Sequence, residues 1–228
     1  MSFGSTELMA FWITFKLALL TSSILMVLCI PLAWWLNNSR SLVSRLIESL
    51  VTLPIVLPPT VLGFYLLMAF APTTILGHQF EVLTGQQLAF SFSGILLGSL
   101  FYSLPFAMQP LQTAFAQFDN KVLDAAHSLG ASPAQAFFQV TLPLCKHGII
   151  SAALLCFAHT VGEFGVILMI GGNIPGETQV LSVAIFDAVE TMDYAKAYNL
   201  SAALLIFAVI TLVMINILKR KEQDYAKC

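Results

Sequence analysis

The sequence predicts an all-α, polytopic membrane protein of five transmembrane helices, with the N-terminus outside and the C-terminus in the cytoplasm. Hydrophobic residues make up 58% of its 228 residues, charged residues make up only 10%, and the mean hydropathy is +0.86. A soluble domain of this length needs far more charge to cover its surface. The apolar residues also come in runs of about twenty or more, the length of helix that crosses the hydrocarbon core of a bilayer.

Five apolar runs are long enough to span a membrane: 8–36, 47–70, 90–115, 148–170 and 197–218. Backbone groups in lipid must satisfy one another, so each run is predicted to be a helix. A transmembrane barrel is excluded because the runs are too long and do not alternate. The first run has no basic n-region and is too long for the apolar core of a signal peptide, so we expect it to stay as a helix. We expect residues 1–228 to form a single transmembrane domain.

The basic residues predict the orientation, because cytoplasmic connections carry an excess of Lys and Arg. Most basic residues fall in the odd-numbered connections and the C-terminal tail: Arg40, Arg45, Lys121, Lys146, Lys219, Arg220, Lys221 and Lys227. The opposite side carries Lys196 against six carboxylates: Glu7, Glu81, Glu177, Asp187, Glu190 and Asp193. The odd-numbered connections are therefore predicted to be cytoplasmic.

The outer connection, residues 171–196, is longer than a simple turn. It contains a turn signal at 173–176 and then apolar residues at helical spacing over 180–189. We expect a short helix at or dipping into the outer surface, and an interfacial helix without function fits the pattern equally well.

Composition excludes several kinds of function. A net charge of −2 with no basic run argues against a nucleic-acid partner. The cysteines, Cys29, Cys145, Cys156 and Cys228, show neither paired spacing nor a metal pattern, so all four are read as free thiols. The chain has no Gly-Lys dipeptide, hence no phosphate-binding loop, and no metal or nucleophile constellation. We therefore expect a protein that is not an enzyme and that holds no metal and no cofactor.

The connection at 119–143 carries strong local signals. Asp119 or Asn120 can cap a helix that ends at Gly130, which supplies a left-handed residue. The apolar face of this helix is formed by Val122, Ala125, Ala126 and Leu129. Ser132 can cap a second helix, with Pro133 at its first position and Gln135 completing a capping box. Two short helices joined at a glycine, with a small Ala-Ala surface, form a protruding element on which another protein could dock.

The same residues carry a resemblance to a known family. Asp124-Ala125-Ala126, three residues, Gly130, nine residues, Val140, one residue and Leu142-Pro143 is similar to the "EAA" loop of ABC importer permeases. The sequence has Asp where that loop has Glu, and Val where it has Ile. The resemblance implies that this loop contains a cytoplasmic coupling helix, which docks on a separate ATPase subunit. The implied coupling residues are Asp124, Ala125, Ala126, Gly130, Leu142 and Pro143.

Further resemblance points to a subfamily. The stretches 53–63, 162–165 and 172–178 resemble those of molybdate-type permeases, and the short length suits that branch better than the sulfate-type relatives. The resemblance implies import of molybdate, with tungstate as a close mimic, and partners that include an ATPase, a periplasmic or lipid-anchored oxyanion-binding protein and a second permease copy. Sulfate or thiosulfate import is the alternative within the family.

Two other classes of membrane protein are weighed against the importer. The prolines and the charges within the membrane also fit a secondary transporter or channel that uses no ATP. The Asp124–Pro143 spacing separates the importer from that class. A purely structural anchor fits least, because Glu163 in a membrane span would then destabilise the protein without serving a function.

Prolines in the second span point to the translocation path. Pro54, Pro58 and Pro59 cannot donate backbone hydrogen bonds, so the span must bend or open there. Broken helices are tolerated at membrane depth where they line a cavity. We expect Pro58, Pro59, Thr60 and Gly63 near the path, and a simple packing kink is the alternative. Neutral donors that could touch the passing anion are Thr60, Ser103 and Thr160.

Three titratable residues fall inside predicted spans and form a predicted intramembrane charge cluster. Lys16 and Glu163 sit at similar depths, roughly 10–12 Å below the outer boundary at about 1.5 Å rise per residue. His159 is one turn before Glu163 on the same face. Because an unpaired carboxylate at that depth is costly, Glu163 is predicted to contact His159, Lys16 or both. The alternatives are that Lys16 snorkels outward and that Glu163 bonds a backbone or hydroxyl group of a neighbouring helix.

Overall fold

The computed structural model describes residues 4–225, and describes side chains for residues 4–119 and 121–217. Its elements are helical throughout this range. In chain order they are α1 Ser5–Asn38, α2 Leu42–Val56, α3 Pro59–Ala69, α4 Ile75–Thr84, α5 Phe92–Ala116, α6 Asn120–Ser128, α7 Pro133–Ala136, a π-helical turn Phe137–Thr141, α8 Leu142–Leu144, α9 Lys146–Gly162, α10 Gly165–Gly171, α11 Leu181–Glu190 and α12 Tyr194–Tyr225. The all-helical prediction is confirmed.

Three of the described helices are long and apolar enough to cross a membrane: Ser5–Asn38, Phe92–Ala116 and Tyr194–Ile217. Two bent pairs raise the number to five if each pair counts as one span. They are Leu42–Val56 with Pro59–Ala69, between which the helix axis bends by 112°, and Pro133–Leu144 with Lys146–Gly162, between which it bends by 71°. Exposed apolar side chains such as Trp12, Val27 and Leu205 cover the long helices, as expected for surfaces that face lipid.

The second predicted span is broken where its prolines stand. α2 ends at Val56, and the extended Leu57 and Pro58 separate it from α3, which has Pro59 at its first position. The N–H of the first residue of a helix has no acceptor within the helix, so a proline there loses no hydrogen bond. Its fixed φ angle also suits the start of a helix. The predicted bend at these prolines is confirmed.

The fourth predicted span, 148–170, is wrong as a continuous helix. α9 ends at Gly162, Glu163 has extended backbone angles (φ −71°, ψ 138°), and a new helix, α10, begins at Gly165. The Ser182 hydroxyl of the following segment donates to the Glu163 carbonyl, which the helix ladder no longer satisfies. A polar group from outside the span thus makes the break tolerable at this depth.

α1, α5 and α9 form the centre of the bundle. Their contact is filled by buried side chains that include Leu25, Met108, Leu111, Phe115 and Ala152. A smaller cluster joins α3, α5 and α10 through Phe70, Leu97, Val166 and Ile170. α12 packs on α9 and leaves most of its surface outside the core. These contacts hold α3 and α10, which follow the breaks in the second and fourth predicted spans, against the central helices.

The short helices confirm some predictions and add one element. A helix at 180–189 was predicted, and α11 covers Leu181–Glu190. Its first free N–H, that of Leu181, donates to Thr14 Oγ1 of α1 at 2.8 Å. α4 was not predicted, because its ten residues lie between stronger apolar runs. Thr74 caps its start and Gly85, with φ +71°, ends it.

The capping signals of the 119–143 connection are confirmed. The Asp119 carboxylate accepts the Lys121 N–H at 2.9 Å, and Gly130 has φ +86° after the end of α6. Ser132 and Gln135 form the predicted capping box. The second helix continues through the π-helical turn and α8 almost to the start of α9. Cys29, Cys145 and Cys156 form no disulfide, and the prediction for Cys228 lies outside the described residues.

Adding a methyl group at Gly63 should loosen the contact between α3 and α10. A Cβ there would lie 2.7 Å from the Met169 Cβ and 3.3 Å from the Val166 Cα. Overpacking of this kind costs about 1–3 kcal/mol, more than the roughly 0.5–1 kcal/mol that alanine gains over glycine in a helix. Gly63→Ala should therefore lower the thermal unfolding temperature in detergent micelles. Gly162→Ala is the matched control, because a Cβ at Gly162 meets nothing within 4 Å. Equal melting temperatures for the two variants would contradict this packing.

Candidate functional site

The break between α2 and α3 lies against the break between α9 and α10. α3 packs along α10, and a Cβ at Gly165 would lie 2.7 Å from the Pro59 Cβ. Pro59 begins α3 and Gly165 begins α10, so the two helices start in direct contact. Only a residue without a side chain permits this approach. The candidate site is centred on this junction.

The four residues expected near a path differ in their exposure. Pro58 and Thr60 are exposed, Pro59 is half-buried, and Gly63 is buried against α10. The exposed pair stands at the corner where α2 turns into α3. Gly63 instead holds α3 onto α10, so its place in the structure is a packing contact.

Glu163 is held by neutral groups at the break between α9 and α10. Its side chain is only 4% exposed. Ser99 Oγ of α5 donates to Oε2 at 3.3 Å, and the carboxylate faces the backbone N–H groups of Val166 and Ile167. Oε1 is buried without a hydrogen-bond partner. The site thus holds a carboxylate that hydroxyl and amide donors satisfy on one oxygen only.

The predicted pairing of Glu163 with His159 or Lys16 is wrong, because each of the three residues has another partner. Lys16 Nζ lies 4.2 Å from the centroid of the Phe92 ring, a cation–π contact. His159 Nδ1 lies 3.0 Å from Ser103 Oγ. Glu163 has its partners on α5 and α10 instead. The alternative of a hydroxyl from a neighbouring helix describes Glu163 correctly.

A second polar group lies one turn deeper between α5 and α9. Ser103 Oγ lies 2.9 Å from Thr160 Oγ1, and Thr160 Oγ1 donates to the Cys156 carbonyl at 2.9 Å. Ser103 and Thr160 are 0% and 1% exposed. Their predicted contact with a passing anion is therefore wrong, because their hydroxyls are enclosed and bonded to each other. Thr60 remains accessible.

Aromatic rings enclose His159. The Phe106 ring stacks on the imidazole, with centroids 3.6 Å apart and planes at 20°. The Tyr102 ring lies at 5.1 Å. His159 itself is half-buried. The ring is thus fixed by stacking on its faces and by Ser103 at one nitrogen.

The 119–143 connection presents an uncovered apolar face. Val122, Ala125 and Leu129 are exposed, with Leu129 at 88%, and Asp124 and Pro143 are exposed beside them. The caps described above hold α6 and α7 at a defined angle across Gly130. A rigid, apolar and accessible face of this kind can dock on another protein.

Residues 6–223, nearly the whole chain, match the protein family described as "Binding-protein-dependent transport system inner membrane component". The chain belongs to this family. It is therefore a multi-pass inner membrane component of a transport system, and the permease fold of its family is all-helical.

Two curated relatives cover most of this inner membrane component. It is 47% identical over 212 residues to the "Molybdenum transport system permease protein ModB" of Azotobacter vinelandii, covering 93% of this chain and 94% of that protein. It is 33% identical to the "Sulfate transport system permease protein CysT" of Synechococcus elongatus, covering 95% of this chain and 77% of that protein. Each resemblance extends over all the elements that form the candidate site.

A solved transporter shares the fold. An inward-facing structure of the MetNI methionine ABC transporter superposes with a TM-score of 0.69, covering 92% of this chain and 93% of that chain at 15% identity. At this identity the likeness concerns the fold alone. It supports the arrangement of α1, α5 and α9 described above.

Sequence reasoning missed three residues of the site: Ser99, Ser182 and Phe106. Ser99 and Ser103 are one turn apart in an apolar span, a signal that marks a polar face of α5. No comparable signal identifies Ser182 or Phe106. They reach the site through the return of the chain after α10 and through the packing of α5 on α9.

Glu163→Gln should lower the free energy of unfolding by less than Glu163→Ala. The amide keeps the volume of the side chain and an oxygen that accepts the Ser99 bond. Alanine leaves a cavity and an unpaired Ser99 hydroxyl, which together cost about 2–4 kcal/mol. Denaturant or thermal unfolding in micelles measures the difference, and Glu190→Ala, at an exposed carboxylate, is the control. If the glutamine variant is the less stable of the two, neither the retained volume nor the Ser99 bond stabilises this pocket as argued.

Proposed function

We propose that this chain is the transmembrane permease subunit of an ATP-driven importer that passes molybdate across the inner membrane, with tungstate as a close mimic. The observation that carries the proposal is the rigid, uncovered apolar face of α6, formed by residues spaced as in the EAA loop. Force from a separate subunit can enter the membrane domain there, since α6–α8 lead directly into α9. The name and the 47% identity of the Azotobacter relative support molybdate.

We propose five membrane crossings, with the N-terminus outside and the C-terminus in the cytoplasm. Each bent pair then makes one crossing. Lys121 and Lys146 flank α6–α8 and favour the cytoplasmic side for them. α4 and α11 then lie outside, together with the six carboxylates of the outer connections. The whole chain acts as one transmembrane domain.

The proposed partners follow from the surfaces of the chain. An ATPase subunit docks on Asp124, Ala125, Ala126 and Gly130, with Leu142 and Pro143 at the base of the loop. Hydrolysis belongs to that subunit, so this chain is not an enzyme. A binding protein delivers the anion, because an acidic outer face repels a free dianion. A second copy of the chain completes the channel.

The proposed path runs past the corner of α2 and α3. Pro58, Pro59 and Thr60 form the accessible side of this corner, and Gly63 holds it on α10. Neutral groups such as the Thr60 hydroxyl bind an anion weakly, which suits a carrier that must release its passenger. His159 and Glu163 lie on either side of the end of α9, Lys16 lies over Phe92, and the three do not pair with one another.

Radiolabelled uptake into reconstituted vesicles tests the proposed function. With the ATPase, the binding protein and ATP present, molybdate should accumulate. A roughly tenfold excess of sulfate should change the rate little if sulfate binds much more weakly than molybdate. Competition by sulfate equal to that by unlabelled molybdate would favour the sulfate-type alternative. Uptake without ATP would favour a secondary transporter, and saturable uptake without the binding protein would contradict the proposed delivery.

Gly130→Val should uncouple ATP hydrolysis from uptake. A β-branched residue at φ +86° strains the junction between α6 and α7 by about 1–3 kcal/mol, which shifts the docking face. We expect uptake to fall by roughly tenfold or more, while membrane insertion and ATPase binding persist. Gly85→Val is the matched control, because Gly85 is equally left-handed and open but ends α4. Unchanged uptake in the Gly130 variant would count against the assignment of the loop.

A further inference from the structure

Two buried side-chain oxygens of the central bundle have no hydrogen-bond partner. One is Oε1 of Glu163, whose other oxygen accepts from Ser99. The second is Oγ1 of Thr21 on α1, a residue that is 0% exposed. Buried polar atoms are nearly always hydrogen-bonded, because an unpaired one lowers the stability of the fold. Each of these two oxygens therefore requires an explanation.

The hydroxyl of Thr21 is oriented differently from those of the other buried threonines in α-helices. Thr14, Thr160 and Thr211 each donate to the backbone carbonyl four residues earlier. A helical threonine bonds that carbonyl readily, since one of its favoured rotamers points there. Thr21 makes no such bond. Its oxygen is therefore available to a group that lies between the helices.

α1 and α5 pack side by side in the same direction, and their registry is constant. Near the end of both helices, the Asn37 amide donates to the Phe115 carbonyl, 78 residues further along the chain. Near the start of both helices, Leu17 and Ile95 belong to one buried cluster and are also 78 residues apart. Residues of α1 and α5 with this separation therefore lie at the same level in the bundle.

This registry places Thr21 at the level of Ser99, which has the same separation from it. Thr21 stands one turn after Leu17 on the buried face of α1, and Ser99 stands one turn after Ile95 on the buried face of α5. The Ser99 hydroxyl donates to Glu163. Thr21 therefore lies at the level of the Glu163 carboxylate.

The packing of α9 on α1 gives the same level independently. The two helices run in opposite directions, because the first half of α1 shares a cluster with α10 and the second half shares one with α9. Cys29 of α1 and Cys156 of α9 belong to that second cluster. Thr21 lies about two turns before Cys29, and Glu163 lies about two turns after Cys156. The two unpartnered oxygens thus share one layer between α1, α5 and the end of α9.

We propose that one water molecule binds in this layer and bridges Thr21 Oγ1 and Glu163 Oε1. The inference does not depend on what the chain transports. Water suits both oxygens, because it can donate to a carboxylate and can donate to or accept from a hydroxyl. The bridge connects α1 to the residue at which the fourth predicted span is broken. It thereby also fixes the start of α10, where Gly165 contacts Pro59.

Thermal unfolding of the full chain in micelles tests the bridge with Thr21→Val, which keeps the shape of the side chain and removes the hydroxyl. A bridged hydroxyl contributes to stability, so the midpoint should fall by about 2–4 °C. A buried hydroxyl without a partner would give the opposite result, because an apolar group of the same shape is then more favourable. A midpoint that rises or stays constant overturns the proposal.

A double-mutant cycle shows whether the Thr21 hydroxyl acts through Glu163. In the Glu163→Ala background, Thr21→Val should no longer lower the midpoint. Ser151→Ala is the matched control, because Ser151 is also a buried hydroxyl without a partner but stands about three turns before Glu163 on α9. Its shift should be the same in both backgrounds. A Thr21→Val shift that is equally large in both backgrounds contradicts the bridge.

Solid-state NMR detects the water directly. The full chain is labelled with ¹³C-glutamate in lipid vesicles, and the carboxyl signal of Glu163 is assigned by its loss in Glu163→Gln. Magnetisation transferred from water protons should reach this carboxyl although it is buried, because the bound water lies within hydrogen-bond distance. Thr21→Val should remove most of the transfer. A wild-type Glu163 carboxyl that receives no magnetisation from water overturns the proposal.

Discussion

The structure depends on the requirement that every backbone polar group at membrane depth finds a partner within the protein. Long helices such as α1 and α5 meet this requirement along most of their own length, the exceptions being the carbonyls one turn before Pro31, Pro105 and Pro110. The two broken segments meet it only together with other parts of the chain. Pro58 and Pro59 have no hydrogen to satisfy, and the Glu163 carbonyl receives the Ser182 hydroxyl. The breaks therefore exist because the fold supplies what the helix ladder lacks.

Glycines decide how closely the broken segments approach. Gly63 and Gly165 face Met169 and Pro59 at distances that a side chain would not allow. This contact brings an accessible corner, with Thr60 on it, next to the polar groups of α5 and α9. A transport protein needs such a place, where irregular backbone is stabilised by packing and still borders an accessible surface. The proposed path follows from that geometry.

The polar groups between α5 and α9 are almost all neutral. Ser99 bonds Glu163, while Ser103 and Thr160 bond each other. Neutral donors hold a buried carboxylate without the desolvation of a second charge, which is the main cost of a buried ion pair. Weak contacts of this neutral kind suit a protein that must release its passenger.

The sequence by itself determined the elements whose causes are local. Apolar runs identified the three long helices, Pro58 and Pro59 predicted the bend of the second span, and Asp119, Gly130, Ser132 and Gln135 predicted the two helices of the connection. Each of these follows from neighbours within one or two turns. The family followed from the spacing between Asp124 and Pro143 for the same reason.

Only the tertiary structure decided which side chains meet across helices. Depth and helical spacing suggested that Glu163 pairs with Lys16 or His159, but these quantities say nothing about how α1, α5 and α9 rotate against one another. That rotation turns Ser99 toward Glu163 and Lys16 toward Phe92. The break at Glu163 was likewise invisible in an apolar run, because its stabilising partner, Ser182, comes from nineteen residues further along the chain. Contacts between distant segments depend on packing that no local pattern records.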